Sequence, residues 1–332
     1  MTTFSASDLL HPADESARRH LESMSGLQNA VKTYHKNFSE RLIRNGQLAE
    51  ALRLGPHQLP EIYRLLPPIC EAFGIEEPEL YLALGPVNAF TTGATRTSIT
   101  LYSGLLDHLS PDEIEAVIAH ECGHILCQHM LFHSMAQFIE LTVKVGSAAN
   151  IPIASAVLSV ASHPLRMALS NWSRKSELSA DRAAAAYMGS ADAITRVMFR
   201  FAGIRHDSRY TQNIQPFADQ ALEYEALRES KWDRFLQWQI SQSSTHPLLA
   251  VRVREIQSWV GTPTFANLAA LAASVRSAPR CHSCGGRTQP GWRHCQRCGT
   301  TLIYGGAPAV AATGPIPGQP VPQAGVQPAW KR

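Results

Sequence analysis

The stretch "SPDEIEAVIAHECGHILCQH", residues 110–129, combines the start of a helix with a run of side chains that can bind metal. Ser110 is a good N-cap, Pro111 suits the first helical position, and Glu113 completes a capping box. Apolar residues then follow at helical spacing. The stretch therefore predicts a helix that begins near position 111 and carries the string HECGH.

The two histidines of this string lie four positions apart, which places them on one face of a helix. His120 and His124 can therefore bind one metal ion. Glu121 lies about 100° around the helix, so it suits the role of a base beside the metal better than that of a ligand. A hydrolytic zinc site needs a third protein ligand, which must come from elsewhere in the chain.

A later glutamate is the best candidate for this third ligand. Glu140, Glu177 and Glu223 are available, but Glu140 follows His124 so closely that little chain remains to fold back. Glu177 belongs to "SELSAD", in which Asp181 follows on the same helical face. Because an aspartate can hydrogen-bond a ligand histidine and fix its tautomer, this pair favours Glu177.

Four stretches of the chain together resemble one known family: "NAFTTG" at 88–93, "VIAHECGHI" at 117–125, "RKSELSADRAA" at 174–184 and "STHPLLAVRVREI" at 244–256. They resemble, in the same order, motifs of the HtpX-like and CAAX-prenyl-protease group of gluzincin zinc metallopeptidases. The resemblance extends over roughly residues 10 to 260. It implies a catalytic zinc with Glu177 as the third ligand and Asp181 in support.

The resemblance also implies roles for two further groups of residues. The strand formed by Asn88, Ala89 and Phe90 would be an edge onto which a substrate peptide pairs. A late histidine and arginine, which match His246 and Arg252, would stabilise the tetrahedral intermediate.

The spacing of the last two residues indicates where they lie. Side chains six positions apart on one helix diverge, so we expect His246 in the loop before a helix and Arg252 in its first turns. Spacing alone leaves Arg254 as a competitor for the role of Arg252.

A second metal site is predicted near the C-terminus, in "CHSCGGRTQPGWRHCQRCG". The four thiols form two CxxC-G knuckles, a pattern typical of a structural Cys₄ zinc ribbon: Cys281, Cys284, Cys295 and Cys298. A segment this short has no adequate core, so the metal would supply its folding energy. Such a ribbon typically docks to a protein or a nucleic acid, and the cysteine segment itself does not choose between them. The net charge of only +3 does not favour nucleic acid, so a protein is the expected partner of the chain.

The remaining cysteines and histidines near the HECGH string are predicted to have packing roles. We expect buried structural thiols at Cys70, Cys122 and Cys127. His129 and His133 do not share the ligand face of a continuous helix with His124, so we expect ordinary helix histidines there.

The length of 332 residues allows one large domain with additions. Three short extended runs among helical sequence predict a mainly α fold with a small antiparallel β-sheet. The predicted organisation is a metallopeptidase domain (1–262), a linker (263–280), the zinc ribbon (281–303) and a disordered Pro/Gly/Ala-rich tail (304–332).

The location is predicted from the absence of an apolar signal-like run at the N-terminus, which favours the cytoplasm. Residues 145–162 carry no charge and are the candidate for peripheral or integral membrane association. Asn150 and Pro152 within this segment make it a poor spanning helix.

These observations predict a zinc-dependent metalloendopeptidase with one catalytic and one structural zinc ion. It would hydrolyse peptide bonds of a protein or peptide substrate through a zinc-activated water, with Glu121 as general base. The alternative is a non-catalytic zinc-binding adaptor that uses the ribbon to dock protein or nucleic acid. The presence of Glu121 disfavours the adaptor, which has no need of a general base.

Overall fold

Helices dominate the parts of the chain that the computed structural model describes, namely residues 3–23, 40–93, 96–130, 132–133, 163–209, 212–230, 232–233, 237 and 248–302. The helices are α1 Ala6–Leu9, α2 Pro12–Glu22, α3 Glu40–Glu50, α4 Pro60–Tyr63, α5 Leu66–Phe73, α6 Ser103–His108, α7 Pro111–Leu126, α8 His163–Met188, α9 Asp192–Phe201, α10 Ile214–Ala226, α11 Leu249–Trp259 and α12 Pro263–Arg276. The strands are β1 Leu52–Arg53, β2 Glu79–Ala83, β3 Ala89–Thr92 and β4 Ser98–Tyr102. The predicted class, mainly α with a small sheet, is confirmed.

The four described strands form one sheet in the order β1-β2-β4-β3. The predicted all-antiparallel pairing is wrong, because β2 and β4 run parallel while β1–β2 and β3–β4 are antiparallel. The chain reverses direction after β2 to form β3. It reverses again to form β4, which lies between β2 and β3. Apolar alternation predicts that a run is a strand but contains no information about the direction of its neighbour.

Helix α7 begins as predicted, with Ser110 and Glu113 forming the reciprocal capping box and Pro111 in the first turn. It packs closely against α8, and small residues at the crossing make this possible. A Cβ atom added at Gly123 would lie 2.7 Å from the Cβ of Ala183 and 3.2 Å from the Cα of Ala180. The backbones of the two helices that carry the predicted ligands therefore lie very close together at this crossing.

The N-terminal helices pack on the same long helix. Helix α2 contacts α8, and Asp14, in its first turn, is fully buried. A hydrogen bond from Ser179 Oγ to Asp14 Oδ2, 2.6 Å long, joins the two helices. Burying a carboxylate without partners costs a large free energy. The contact with Ser179 therefore indicates that Asp14 is stabilised by specific buried hydrogen-bond partners.

The segment predicted as a linker contains helix α12, which packs against α8 and α5. Its buried side chains are Leu268, Ala272 and Val275. Apolar residues at these helical positions join the last helix to the main core, so the chain reaches the cysteine segment along a packed surface.

The cysteine segment contacts the helical body through ion pairs. Arg297 pairs with Glu77, and both Arg280 and Arg287 pair with Glu71. Ser283 Oγ donates a 2.7 Å hydrogen bond to the carbonyl of Pro56. These contacts fix the segment against the region before and after α5.

Two predicted segments, 145–162 and 304–332, lie outside the described residues. None of the helices within the described residues is both long enough and apolar enough to cross a membrane.

Candidate active site

The three predicted catalytic ligands meet between α7 and α8. Nε2 of His120 lies 3.2 Å from Nε2 of His124. The Glu177 carboxylate is 3.5 Å from each ring, through Oε2 to His120 and Oε1 to His124. All three side chains are buried, and their ligand atoms lie within 4.8 Å of one another. Glu140 lies outside the described residues, and Glu223 is exposed on α10.

The proton positions in this cluster fit a cation. Nδ1 of His120 lies 3.0 Å from Asp181 Oδ1, so it carries a proton and Nε2 is the nitrogen that faces the centre. Nδ1 of His124 lies 2.9 Å from Nδ1 of His129. The two Nε2 atoms and the Glu177 carboxylate therefore face one another, and a proton or a metal ion must lie between them. This arrangement is unfavourable unless a positive ion occupies the centre, and two imidazoles with a carboxylate are a donor set that zinc prefers.

The buried charges around the cluster also favour a cation. Glu121, Glu177 and Asp181 contribute three carboxylates, whereas Arg252 contributes one guanidinium, and all four residues are at most 4% exposed. Burial lowers the pKa of His120, but contacts with Asp181 and Glu177 outweigh it and raise the pKa to about 10. The pKa of His124 lies well below its usual value, chiefly because of burial. The surrounding carboxylates thus stabilise positive charge between these rings.

The Glu121 carboxylate is oriented by the sheet. Thr91 Oγ1, on β3, donates a 2.6 Å hydrogen bond to Glu121 Oε2. The same hydroxyl lies 3.3 Å from the Glu121 carbonyl oxygen, so it bridges the strand and α7. Thr91 was not among the predicted site residues. Its one sequence signal is its position directly after the predicted strand residue Phe90.

Arg252 lies at the site, but its contacts differ from those that an oxyanion donor would require. It bonds Asp181 twice, through Nε at 2.7 Å and Nη2 at 2.6 Å, and its Nη1 lies 2.9 Å from Glu177 Oε2. Arg254, the competitor, points away and pairs with Glu225. The contacts therefore select Arg252 over Arg254 and place it behind the ligand Glu177. His246 lies outside the described residues.

The predicted substrate strand lies at the edge of the described sheet, where β3 pairs with β4 alone. Ala89 and Phe90 are in β3, and Asn88 directly precedes it. The Asn88 carbonyl accepts a hydrogen bond from the Tyr102 N–H at 3.0 Å. Along an antiparallel ladder, residues that hydrogen-bond the neighbouring strand alternate with residues that do not. Since Asn88 bonds β4, the backbone groups of Ala89 and Thr91 point away from β4.

His129 differs most from its prediction, because α7 ends at Leu126 and the chain turns back. Gln128 adopts a left-handed conformation with φ of 59°. The turn returns the ring of His129 to the His124 ring, with their Nδ1 atoms 2.9 Å apart. A predicted helix histidine is thus in contact with a candidate metal ligand. The sequence offered no signal, since Gln is not a residue typical of positive φ.

The other cysteines of the body are buried, as predicted for Cys70, Cys122 and Cys127. Burial raises the pKa of Cys127 to about 12 and that of Cys122 well above its usual value. Both thiols are therefore protonated and unreactive at neutral pH.

The C-terminal cysteines meet as a second candidate metal centre. Sγ of Cys281 lies 3.7 Å from that of Cys298, and Sγ of Cys284 lies 3.6 Å from that of Cys295. The glycines that close the two knuckles, Gly285 and Gly299, have φ of 68° and 75°. Four free thiols in two such turns form the donor set of a structural zinc ribbon.

Comparison with known proteins identifies the family to which these residues belong. The profile of peptidase family M48 matches residues 56–260. Plastoglobule-localized metallopeptidase 48 of Arabidopsis thaliana is 27% identical over 257 residues, which cover 76% of this chain and 72% of that protein. No solved structure gives a significant match.

The HtpX proteases are similar over shorter stretches. A protease HtpX homolog of Leptothrix cholodnii is 32% identical over 154 residues, or 40% of this chain and 53% of the homolog. Protease HtpX of Escherichia coli is 44% identical over 71 residues, which cover 20% of this chain and 24% of that protease. The chain thus spans about half the length of the HtpX homolog. The family match confirms the resemblance inferred from the four sequence motifs, and the chain belongs to peptidase family M48.

Proposed function

We propose that this protein is a zinc-dependent metalloendopeptidase that cleaves internal peptide bonds with Glu121 as general base. The observation that carries the proposal is the convergence of three ligand side chains beside a buried glutamate and a sheet edge. Membership of peptidase family M48 supports zinc-dependent proteolysis in general. The endopeptidase specificity and the roles of individual residues are our inference.

The ligands to the catalytic zinc would be His120, His124 and Glu177. When bound, zinc lowers the pKa of a water molecule and polarises the scissile carbonyl. Asp181 holds the His120 ring with its Nε2 toward the centre, through the 3.0 Å contact at Nδ1. Arg252 fixes Asp181 and Glu177 together, so the position of Glu177 and, through Asp181, that of His120 depend on one guanidinium.

Glu121 moves the protons of the reaction. Its carboxylate accepts a proton from the attacking water and delivers it to the amine of the leaving peptide. Thr91 donates its hydroxyl hydrogen to Oε2, which keeps the carboxylate in one orientation. Holding a base in one orientation lowers the entropic cost of reaching the transition state.

The substrate would bind in extended form along β3. The outward N–H and carbonyl of Thr91 and the outward carbonyl of Ala89 offer hydrogen bonds to an added strand, which is the usual mode of β-augmentation. Asn88 Oδ1 accepts a 2.9 Å hydrogen bond from the Ala89 N–H, so its side chain marks the end of the accessible edge. Because Thr91 also bonds Glu121, a peptide on this edge passes beside the general base.

We retain His246 as the proposed donor to the oxyanion of the tetrahedral intermediate. For Arg252 the buried contacts with Asp181 and Glu177 support a positioning role instead. The zinc ribbon would complete the C-terminal part of the fold and bind a protein partner.

The proposal is tested by Glu121→Gln, assayed on an unfolded protein with the fragments identified by mass spectrometry. We expect the variant to keep its zinc and lose cleavage, and we expect the wild type to yield internal fragments. Glu223→Gln, an exposed glutamate on α10, is the matched control and should cleave normally. Full activity in Glu121→Gln would reject the mechanism, and release of single terminal residues would reject the endopeptidase class.

A further inference from the structure

The ligand His124 has an unusual hydrogen-bond partner at Nδ1, the ring nitrogen that would not bind the metal. Its Nε2 faces His120 and Glu177, so this nitrogen is the one available to a metal. Nδ1 therefore carries the proton, and the atom 2.9 Å away is Nδ1 of His129. A ligand histidine most often donates to a carboxylate, a carbonyl or water, whereas here it donates to a second imidazole.

The proton on His129 then has a defined place. Because its Nδ1 accepts from His124, its Nε2 carries the hydrogen, and Nε2 lies 3.0 Å from Asp14 Oδ2. The same oxygen accepts the Ser179 hydroxyl at 2.6 Å, and Ser179 Oγ accepts the backbone N–H of His11 at 2.9 Å. Donors and acceptors are thus consistent along the whole chain of contacts.

We propose that His129 and Asp14 are positioning residues for the catalytic metal, forming a relay in which His124 donates to His129 and His129 donates to Asp14. The proposal rests on the proposed function, since it takes His124 as a zinc ligand. The relay fixes the tautomer and the ring plane of His124. For His120 the same task is performed by a single carboxylate, that of Asp181.

The fold provides several features that serve this relay. The end of α7 at Leu126 and the left-handed Gln128 return the His129 ring to His124. The indole of Trp172 packs edge-on against His129, with ring centroids 5.6 Å apart. His129 and Asp14 are both fully buried, so their 3.0 Å contact is shielded from water.

The relay also connects the N-terminal segment to the site. Asp14 belongs to α2, which precedes the residues matched by the family profile, 56–260. The imidazole that aligns one zinc ligand is therefore anchored by a helix outside the matched region. We infer that α2 is part of the active-site structure rather than a peripheral addition.

A competing interpretation is a second metal ion, because His124, His129 and His133 also lie close enough to share one. The contacts of His133 disfavour it. Ser176 Oγ donates to the Ser173 carbonyl at 2.8 Å, so it accepts from His133 Nε2 at 2.9 Å. The other ring nitrogen, Nδ1, lies 3.4 Å from Ser173 Oγ and accepts its hydroxyl hydrogen, so both nitrogens of His133 have serine partners. The relay also leaves His129 Nδ1 facing a proton rather than an ion.

The experiment uses two amide substitutions in the full-length protein. In His129→Asn the amide group occupies the place of Nδ1 and can still accept from His124. In His129→Gln the amide reaches the place of Nε2 and retains only the contact with Asp14. The two variants are similarly polar, so a difference between them reports the bond to His124 rather than general disruption. Zinc affinity is measured by competition with a chelator, alongside the Co²⁺ absorption spectrum, in which the thiolate site is distinguished by its charge-transfer bands.

We expect His129→Gln to bind zinc at the histidine site about 10- to 100-fold more weakly than the wild type, with an altered Co²⁺ spectrum. His129→Asn, which keeps the bond to His124 but loses the contact with Asp14, should bind zinc more tightly than His129→Gln and less tightly than the wild type. Asp14→Leu should weaken binding as well, and His133→Gln should change neither metal content nor affinity.

Equal zinc affinities for the Asn and Gln variants would overturn the relay, as would loss of a metal ion in His133→Gln. These results differ from a failure of the proposed function, which would appear in the wild type. A wild-type protein that holds metal at its cysteines alone would show that His124 is not a ligand at all.

Discussion

The hydroxyl of Thr91 lies 2.6 Å from Oε2 of Glu121, so the edge strand β3 orients the carboxylate that we propose as general base. The same strand carries the outward-facing backbone groups to which a substrate would add. One residue thus links the position of the substrate to the position of the base.

Thr91→Val should lower kcat with little change in zinc content, because it removes a hydrogen bond to a charged group while keeping the side-chain volume. Such a bond is worth about 1.5–3 kcal/mol, which corresponds to a loss of roughly 10- to 100-fold in rate. Thr91→Ser retains the hydroxyl and should keep most of the activity. Steady-state kinetics with metal analysis would check this, and a fully active Thr91→Val would show that the bond does not orient Glu121.

Arg252→Met should destabilise the fold by about 3–5 kcal/mol, because it leaves Asp181 and Glu177 buried without their cation. Arg254→Met is the matched control on the same helix. Arg254 and its partner Glu225 are both partly exposed, so the loss of this pair should cost about 0–1 kcal/mol. Urea unfolding followed by circular dichroism measures both. If Arg252→Met unfolds like the wild type and loses only kcat, Arg252 acts on the intermediate, as the sequence resemblance implied.

The local parts of this site could be predicted from sequence because helix geometry is local. The capping box sets the start of α7, and spacing by four places His120 and His124 on one face. The pairing of Glu177 with Asp181 follows from the same spacing, and the structure brings both to the site.

The rest depends on tertiary contacts that no short pattern contains. The parallel pairing of β2 with β4 is decided by packing, and Gln128 is held in a left-handed conformation that its own side chain does not favour. The contact between Asp14 and His129 joins residues far apart in the chain. A continuous α7 would make His129 an ordinary helix histidine, as predicted from the sequence, but the turn after Leu126 brings its ring to His124.

The zinc ribbon leads to a prediction about metal content. We expect two zinc ions per chain in the wild type and one in Cys284→Ser, since a tetrahedral site does not survive the loss of one thiolate. The variant should also unfold at lower denaturant concentration, because the ribbon is fixed to the body by Arg297–Glu77 and related pairs. Metal analysis with urea unfolding tests this. An unchanged zinc content in Cys284→Ser would show that the four thiols hold no metal.

The close crossing of α7 and α8 provides the last test, at Gly123. A methyl group there would lie 2.7 Å from the Cβ of Ala183, a contact that the neighbouring backbone cannot easily relieve. We expect Gly123→Ala to cost about 1–3 kcal/mol of stability and to weaken zinc binding, because the helices that carry the ligands must separate. Gly46→Ala on α3 is the control, since a Cβ there meets nothing within 4 Å. It should stabilise by up to about 1 kcal/mol through helix propensity alone. Thermal unfolding and zinc affinity of the two variants distinguish crowding from propensity. A Gly123→Ala variant that gains stability as Gly46→Ala does would show that the ligand geometry does not depend on this contact.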